Sequence, residues 1–515
     1  MLWTRGGISL PKKLPIFYSA LLLTGVNLLL RLVGTSFQVY ISGRIGAAGV
    51  GLLQLTMSVG SLAMVTGIAG VRTATMYLTA EELGKKRPGN VTWVLSGCFV
   101  YSILCSTAVA AALYFLAPAL AENWIGNVST VNSLRLFAAF LPVSCLCGVM
   151  TGYFTAANRI GTLAAVEAAE QLCSMVVTMA VLTLWAGDDP GRACQSVVMG
   201  GCFGACLTLC CLMLLRLAER VKPGPKIPIR SRLLQAAVPL AMADVLKSGI
   251  STTENLMVPK RLALNSLIDS PLAAFGIVSG MVFPVLMFPA CILFGLAELL
   301  IPELARCAAA GSKQRISYLV RRSLRTAMLY GIVFSGLEFL LAEGLCNSLY
   351  HNAEAGRWLR LYALLIPMLY CDAITDAMTK GLGQQKVCVR YNIITNSMDV
   401  FFLYFLLPKY GMEGYFFSFF ITHLVNFILS LRRLLIITGE TIPFSVPALS
   451  VAAALAAGWG ASRFASPVLR AGTYPVLLGC LMCLFGVLGR EDIAWLKGLL
   501  RGKSITKAHA FSKSA

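Results

Sequence analysis

The chain has 515 residues, 57% of them apolar and 13% charged, with 43 Lys and Arg against 23 Asp and Glu. A water-soluble domain usually carries about 25% charged residues. With a mean hydropathy of +0.76, a soluble enzyme or nucleic-acid binder is excluded and an integral membrane protein is expected.

A membrane-crossing helix needs about 20 apolar residues. Taken in chain order, the sequence offers about fourteen such segments of that length. They run approximately over 16–41, 46–72, 91–117, 133–156, 162–186, 195–217, 233–257, 271–301, 324–349, 359–380, 388–407, 412–436, 444–463 and 473–489. None alternates with the period of two that a membrane β-strand requires, so all are expected to be helices. Arg5, Lys12 and Lys13 precede the first run, which is long and lacks a small-x-small cleavage site, and it reads as a retained helix rather than a signal peptide.

With the N-terminus inside, about 30 of the 43 Lys and Arg fall in inside segments and about 10 in outside segments, the bias that places both termini in the cytoplasm. The largest basic clusters, Arg216 to Arg232, Arg306 to Arg325 and the tail from Arg490, then face anionic headgroups. Nearly all of the 17 cysteines sit in apolar segments without metal-ligand spacing and read as core residues.

Part of the chain is written twice, 225 residues apart. Leu134-Arg135-Leu136 with Pro142 recurs as Leu359-Arg360-Leu361 with Pro367. Gly51 and Gly70 recur as Gly276 and Gly295, and Glu167, Gln171 and Ser174 fall on Asn392, Asn396 and Asp399. The first span of each half aligns at a shorter offset, pairing Arg31 with Ser248 and Gln38 with Asn255. The second half then carries about eight extra residues between Lys260 and Ser270. The reading is an N-lobe over 1–217, a basic linker over 218–232, a C-lobe over 233–436, two unpaired spans within 437–490 and a basic tail over 491–515. Two six-helix lobes share one orientation and are related by an axis along the membrane normal. The expected fold class is therefore an all-α polytopic membrane protein. It has about fourteen transmembrane helices, in two pseudo-symmetric six-helix lobes plus two extra C-terminal helices.

A charge inside a membrane costs at least about 2.5 kcal/mol on insertion scales and marks function by default. Here the polar residues step by three or four, so each set forms one helix face. Thr24, Asn27, Arg31, Thr35 and Gln38 line the first span; Asp244, Lys247, Ser251 and Glu254 the seventh; Asp372, Asp376 and Lys380 the tenth; Asn392, Asn396 and Asp399 the eleventh. His423 and Asn426 share a face of the twelfth. The bland reading is helix-to-helix glue, with Asp244 reaching Lys247 and Asp376 reaching Lys380. Matching stripes in two lobes favour a shared water-filled cavity.

Arg31 has no carboxylate at i±3 or i±4, and a guanidinium matches a phosphate group bidentately. Arg72 maps to Ala297, beside Glu298. An Arg72–Glu298 gate and an Arg72 that snorkels to the inner surface are both open. The candidate substrate-binding residues are Arg31, Asn27, Gln38, Arg72, Lys247, Glu254 and Arg261. The candidate coupling and cavity residues are Asp244, Glu298, Asp372, Asp376, Lys380, Asn396 and Asp399. No nucleotide loop, HExxH or GxSxG is present, so neither an enzyme nor a cofactor or metal is expected.

The run Asp372-Ala-Ile-Thr-Asp376-Ala-Met-Thr-Lys380-Gly-Leu-Gly-Gln-Gln-Lys386 closely resembles the stage V sporulation protein B family. So do Val389-Arg390-Tyr391-Asn392, Leu407-Pro408-Lys409-Tyr410-Gly411-Met412-Glu413-Gly414 and Glu254-Asn255-Leu256-Met257-Val258-Pro259-Lys260-Arg261-Leu262. That family lies in the polysaccharide-transporter branch of the multidrug/oligosaccharidyl-lipid/polysaccharide exporter superfamily. The resemblance implies fourteen helices and flipping of an undecaprenyl-diphosphate-linked saccharide, such as a peptidoglycan precursor for the spore cortex. It also implies a bacterial cell-membrane location. Related lipid II flippases carry arginines on the first, second and eighth spans. Arg31 and Arg72 fit the first two, whereas the eighth span has no central arginine and Lys260 and Arg261 lie just before it.

The expected function is a lipid-linked oligosaccharide flippase working by alternating access. Its partners are the lipid-linked saccharide, membrane lipids and a coupling cation, H+ or Na+, with no nucleic acid. The alternatives are a multidrug/cation antiporter of the same superfamily and a membrane scaffold for envelope enzymes.

Overall fold

A computed structural model describes residues 16–187, 189–219, 224–225, 228–440 and 445–487, with the side chains of 16–28, 160 and 445 outside the description. The basic tail and part of the linker therefore lie outside the described residues. So does the side chain of Asn27.

Every element among the described residues is helical. Apolar side chains and the lack of water in a bilayer leave the chain one economical way to satisfy its backbone, within each segment. The helices are α1 (Ile16–Ile68), α2 (Val71–Gly84), α3 (Val91–Ala119), α4 (Val131–Ala156), α5 (Ile160–Val181), α6 (Pro190–Ala218), α7 (Arg230–Leu262) and α8 (Pro271–Gly276). They continue with α9 (Phe283–Leu286), α10 (Ala290–Ala309), α11 (Lys313–Tyr350), α12 (Ala353–Ala363), α13 (Ile366–Gly381), α14 (Gln385–Thr438), α15 (Ser445–Ser462) and α16 (Pro467–Leu484).

Nine of these helices are long and apolar enough to cross a membrane among the described residues, and two bent pairs, α8–α9 with α10 and α12 with α13, add one span each. The very long α1 and α14 break at Gly46 (φ 67°) and Gly411 (φ 57°). Glycine takes this left-handed backbone without a Cβ clash, and each break falls where the sequence separates two spans. Counting α1 and α14 twice and adding the apolar α15 gives the fourteen spans expected. The second span differs from expectation at its end. It breaks at Ala69–Gly70 and continues as α2 to Gly84, so Arg72 starts a new helix.

The chain packs as two compact units. One comprises Met1–Ile292 with Asn392–Thr422, and the other Leu293–Tyr391 with His423–Ala515. The partition cuts across the duplicated halves: α7, α8, α9 and the middle of α14, Asn392–Thr422, pack with the helices of the first half.

In the first unit, Val71, Ala74 and Leu78 of α2, Val94 of α3, Met150 and Phe154 of α4, and Leu233 and Ala237 of α7 form one buried cluster. The extra loop between α7 and α8 has a visible use. Its buried Asn265 accepts from the Leu267 amide at 3.0 Å, and Asn265 and Ile268 lie against Gly411 at the break of α14.

In the second unit, α15 and α16 bury Ala453, Ala457, Ala461, Leu478 and Met482 with Ile332 of α11. Tyr474 Oη donates to Ile332 O at 3.2 Å. Below them Glu440, just past the end of α14, meets Arg321 and Ser317 of α11. The Ser317 hydroxyl and the Arg321 guanidinium hold its carboxyl below the usual carboxylate range. That tie stabilises the fold above the ordinary carboxylate titration and weakens only as pH falls through the lowered value.

Gly336 makes the α11–α16 contact possible, because a Cβ there would overlap the Tyr474 hydroxyl. Gly336→Ala should destabilise this docking by about 1–3 kcal/mol through overpacking. The check is thermal denaturation in detergent, where Tyr474→Phe, which removes the hydroxyl, should recover part of the loss.

Candidate functional site

The first unit gathers most of the sequence-selected residues. On α1, Arg31 is exposed within the first span and lies within electrostatic reach of Cys291. One turn on, Thr35 Oγ1 caps the Arg31 carbonyl at 3.0 Å. Gln38 Nε2 then donates to Gly280 O at 3.3 Å, across to the stretch that follows α8. The polar face of α5 supports α1 from behind: Gln171 Nε2 donates to Leu30 O at 3.2 Å, beside Gly34. Arg72 is exposed and within electrostatic reach of Glu167 on α5.

On α7, Asp244 and Lys247 are exposed. No ion pair joins them among the described residues, so the within-helix pairing expected from their spacing is absent. Deeper along the same face Glu254 hydrogen-bonds Asp399 of α14. Asp399 is 5% exposed and also accepts from Ser418 Oγ and from Thr422 Oγ1, the latter at 3.3 Å. A hydrogen bond between two carboxyl groups needs a proton on one of them. Two carboxyls and two hydroxyls thus converge on one buried point.

Neighbouring residues fix α7 in place. Asn255 Nδ2 donates to Ser58 Oγ at 3.0 Å, and Thr252 Oγ1 donates to Ser58 O at 3.2 Å. Arg261 is half-buried. Its guanidinium lies 3.3 Å from the centroid of Tyr404, a cation–π contact that neutralises part of its cost. At the other end of α7, Arg232 bridges Glu81 at 2.7 Å and Glu82 at 3.1 Å. Asn90 adds a bond to Glu82 at 3.1 Å.

The second unit holds the stripe of α13. Lys380 Nζ pairs with Asp376 at 2.6 Å, the within-helix partner its spacing suggested. Asp372 is engaged separately: Asn426 Nδ2 donates to its two oxygens at 3.2 and 3.0 Å. Glu298 is exposed on α10. Asn396 is half-buried on α14, in the first unit.

Sequence reasoning missed Ser58, Ser418, Thr422 and Tyr404 as partners of the selected groups. It also missed Glu170, which accepts from Thr208 Oγ1 at 2.6 Å. Ser418 and Thr422 stand at helical spacing on the twelfth span, facing the carboxyl stripe of the eleventh, and that pattern was a usable signal.

A family model for polysaccharide biosynthesis proteins matches residues 47–268, and the MatE model matches residues 239–405. Stage V sporulation protein B of Bacillus subtilis (strain 168) is 20% identical over 411 residues, covering 76% of this chain and 78% of that protein. The lipid II flippase MurJ, in an inward closed conformation, superposes with a TM-score of 0.70 at 14% identity, over 90% of this chain and 98% of that one. An inward-facing multidrug-resistance MATE transporter superposes with a TM-score of 0.62 at 12% identity, over 82% and 100%. Together these matches liken the chain to polysaccharide biosynthesis proteins and MatE transporters, and to stage V sporulation protein B. It shares the all-α, multi-pass membrane fold of these solved structures.

The Asp376–Lys380 pair lies within one helix, so removing it unties no helix from another. Asp376→Asn is expected to reduce transport several-fold at near-normal membrane abundance. If Asp376→Asn with Lys380→Met restores the activity lost in either single variant, the pair is structural glue.

Proposed function

We propose that the protein flips an undecaprenyl-diphosphate-linked saccharide across a bacterial cell membrane by alternating access. The observation that carries this reading is Arg31, exposed on the polar face of the first span. An uncharged or cationic cargo gives no reason to keep a guanidinium there, whereas a diphosphate does. The likeness to stage V sporulation protein B supports a peptidoglycan precursor as cargo and a role in spore-cortex synthesis. In this reading the two lobes are 1–217 and 233–436, and both termini are cytoplasmic because the basic segments lie inside. The headgroup enters from the cytoplasm with its diphosphate at Arg31, and the prenyl tail stays in lipid.

Arg31→Ala should abolish flipping while leaving the protein folded in the membrane. Arg31→Lys should rescue part of it, since an ammonium keeps the charge but loses the planar fork. The measurement is build-up of lipid-linked precursor on the inner leaflet in a strain lacking its own lipid II flippases, with protein level followed in parallel. Normal flipping by Arg31→Ala at normal abundance refutes the assignment.

Coupling is assigned to Glu254 and Asp399 with Ser418 and Thr422. A site that alternates between a shared proton and an open acceptor cage can link cation movement to lobe movement. Glu254→Gln or Asp399→Asn should uncouple flipping from its driving gradient at unchanged abundance. In vesicles, dependence on a Na+ gradient at fixed pH identifies Na+, and collapse with the pH gradient identifies the proton. Retained coupling in both variants rejects the site.

The second reading, a multidrug/cation antiporter, is favoured by the match of residues 239–405 to the MatE model and by the acidic groups Glu254, Asp372 and Asp399. Drug efflux that survives Arg31→Ala and fails in Asp399→Asn would establish it.

A further inference from the structure

The third and fourth spans recur as the ninth and tenth at the offset of 225 residues, and one contact is kept in both pairs. Tyr114 of α3 and Arg135 of α4 are the repeat equivalents of Phe339 of α11 and Arg360 of α12. In the first pair the Arg135 guanidinium lies 5.1 Å from the centroid of the Tyr114 ring. In the second, the Arg360 guanidinium lies 5.5 Å from the centroid of Phe339. The register holds around each contact: Ala117 matches Ala342, Leu134 matches Leu359, and all four are buried. Each pair lies within one compact unit.

The pairs differ in what completes the arginine. Arg360 Nη1 meets the carboxylate of Glu343 at 3.0 Å. The repeat equivalent of Glu343 is Pro118, whose side chain has no acceptor to offer. Among the described residues no carboxylate or carbonyl meets the Arg135 guanidinium. The ring offsets only part of the cost of desolvating that cation. The first pair also has a donor that the second lacks, the hydroxyl of Tyr114 in place of the bare ring of Phe339. Tyr114 is exposed, as are Phe115, Leu116 and, between α3 and α4, Trp124. An aromatic and apolar surface of this kind borders a bilayer at headgroup level. A position filled by a carboxylate in one half is thus open in the other, beside lipid.

We infer that Arg135 and Tyr114 form a binding site for the phosphate of a lipid headgroup. A phosphate presents oxygens to the guanidinium fork and a further acceptor to the tyrosine hydroxyl, while the hydrocarbon chain can follow the exposed Phe115 and Leu116. Glu343 at Arg360 is the chain's own example of an anion taken by this arginine and ring. A small anion dissolved in water gains little at a partly exposed cation, whereas a lipid is already held at headgroup depth. On the topology proposed above, the site faces the outer leaflet. Two sources share the chemistry, a resident anionic phospholipid and a prenyl diphosphate. The site lies on the third and fourth spans, apart from the polar stripes of the first and seventh, and the inference does not rest on the flippase reading.

Native mass spectrometry of the purified protein counts the lipids that stay bound. With dioleoylphosphatidylglycerol as the probe, Arg135→Gln should weaken one site about tenfold. Pro118→Glu should do the same with Arg135 intact, because it installs the carboxylate of the second half. The converse variant, Glu343→Gln, should add a site by freeing Arg360. Dioleoylglycerol, which has no phosphate, should bind equally to all of these proteins. Undecaprenyl diphosphate as a second probe identifies the source. A loss confined to the phosphatidylglycerol assigns the site to a resident lipid, and a loss at least as large for the diphosphate assigns it to a prenyl lipid. Unchanged binding of both probes in Arg135→Gln and Pro118→Glu overturns the site, and so does an equal loss of dioleoylglycerol, which would report altered packing. Should Arg135→Gln fail to fold, Pro118→Glu and Glu343→Gln decide, since both keep the two arginines. The measurement needs no transport, so the failure of the flippase reading would leave its outcome unchanged.

Discussion

A bilayer core holds no water, so a charge placed there must find a partner, share a proton or face an aqueous space. That constraint organises this protein. Glu82 is held by Arg232 and Asn90. Arg261 lies on a tyrosine ring. Asp372 is gripped by the Asn426 amide, and Asp399 sits among a carboxyl and two hydroxyls. Arg31, Asp244 and Lys247 are the charged groups of α1 and α7 that remain exposed within the spans. Insertion costs of about 2.5–3.5 kcal/mol for each such group are hard to reconcile with a lipid-facing position, and an aqueous path removes most of that cost.

The same constraint grades the contacts by what they cost to part. Breaking a buried ion pair by removing one partner costs about 3–5 kcal/mol, somewhat less where, as at Arg232, the cation is one-third exposed. A Cα–H···O contact of the kind that close glycine crossings permit contributes about 0.5–1 kcal/mol. A protein that changes conformation on a millisecond timescale can form and break a few of the second kind. The first kind suits fixed joints.

Much of the fold was legible because it depends on local rules. Span positions follow from apolar length, and the breaks of α1 and α14 fall at glycines bounded by apolar runs. The α13 ion pair follows from i,i+4 spacing. The duplication was legible too, and it marked Gly51 and Gly276, whose backbones meet. What the sequence did not display were meetings between distant segments. Asp399 could not announce Glu254, 145 residues away, and Asp244 with Lys247 had the spacing of a pair without forming one. On an exposed helix face an ion pair contributes only about 0.3–0.5 kcal/mol, too little to fix two long side chains. Spacing permits such a contact but does not compel it.

The two duplicated halves have diverged in chemistry. In the first half the fifth span rests on the first, where Gln171 donates to the Leu30 carbonyl. In the second half the eleventh span meets the seventh, where Asp399 meets Glu254. Ser174 is the repeat equivalent of Asp399, so a neutral hydroxyl in one half stands where an ionisable group stands in the other. A symmetric dimer of halves could not favour anion and cation in separate places. Divergence allows it: the guanidinium of Arg31 is on the first span of the first half, and the carboxyl dyad is on the seventh and eleventh spans of the second half. On the proposed reading, substrate and coupling ion then act on opposite members of one pseudo-symmetric pair, and a movement that relates the pair senses both.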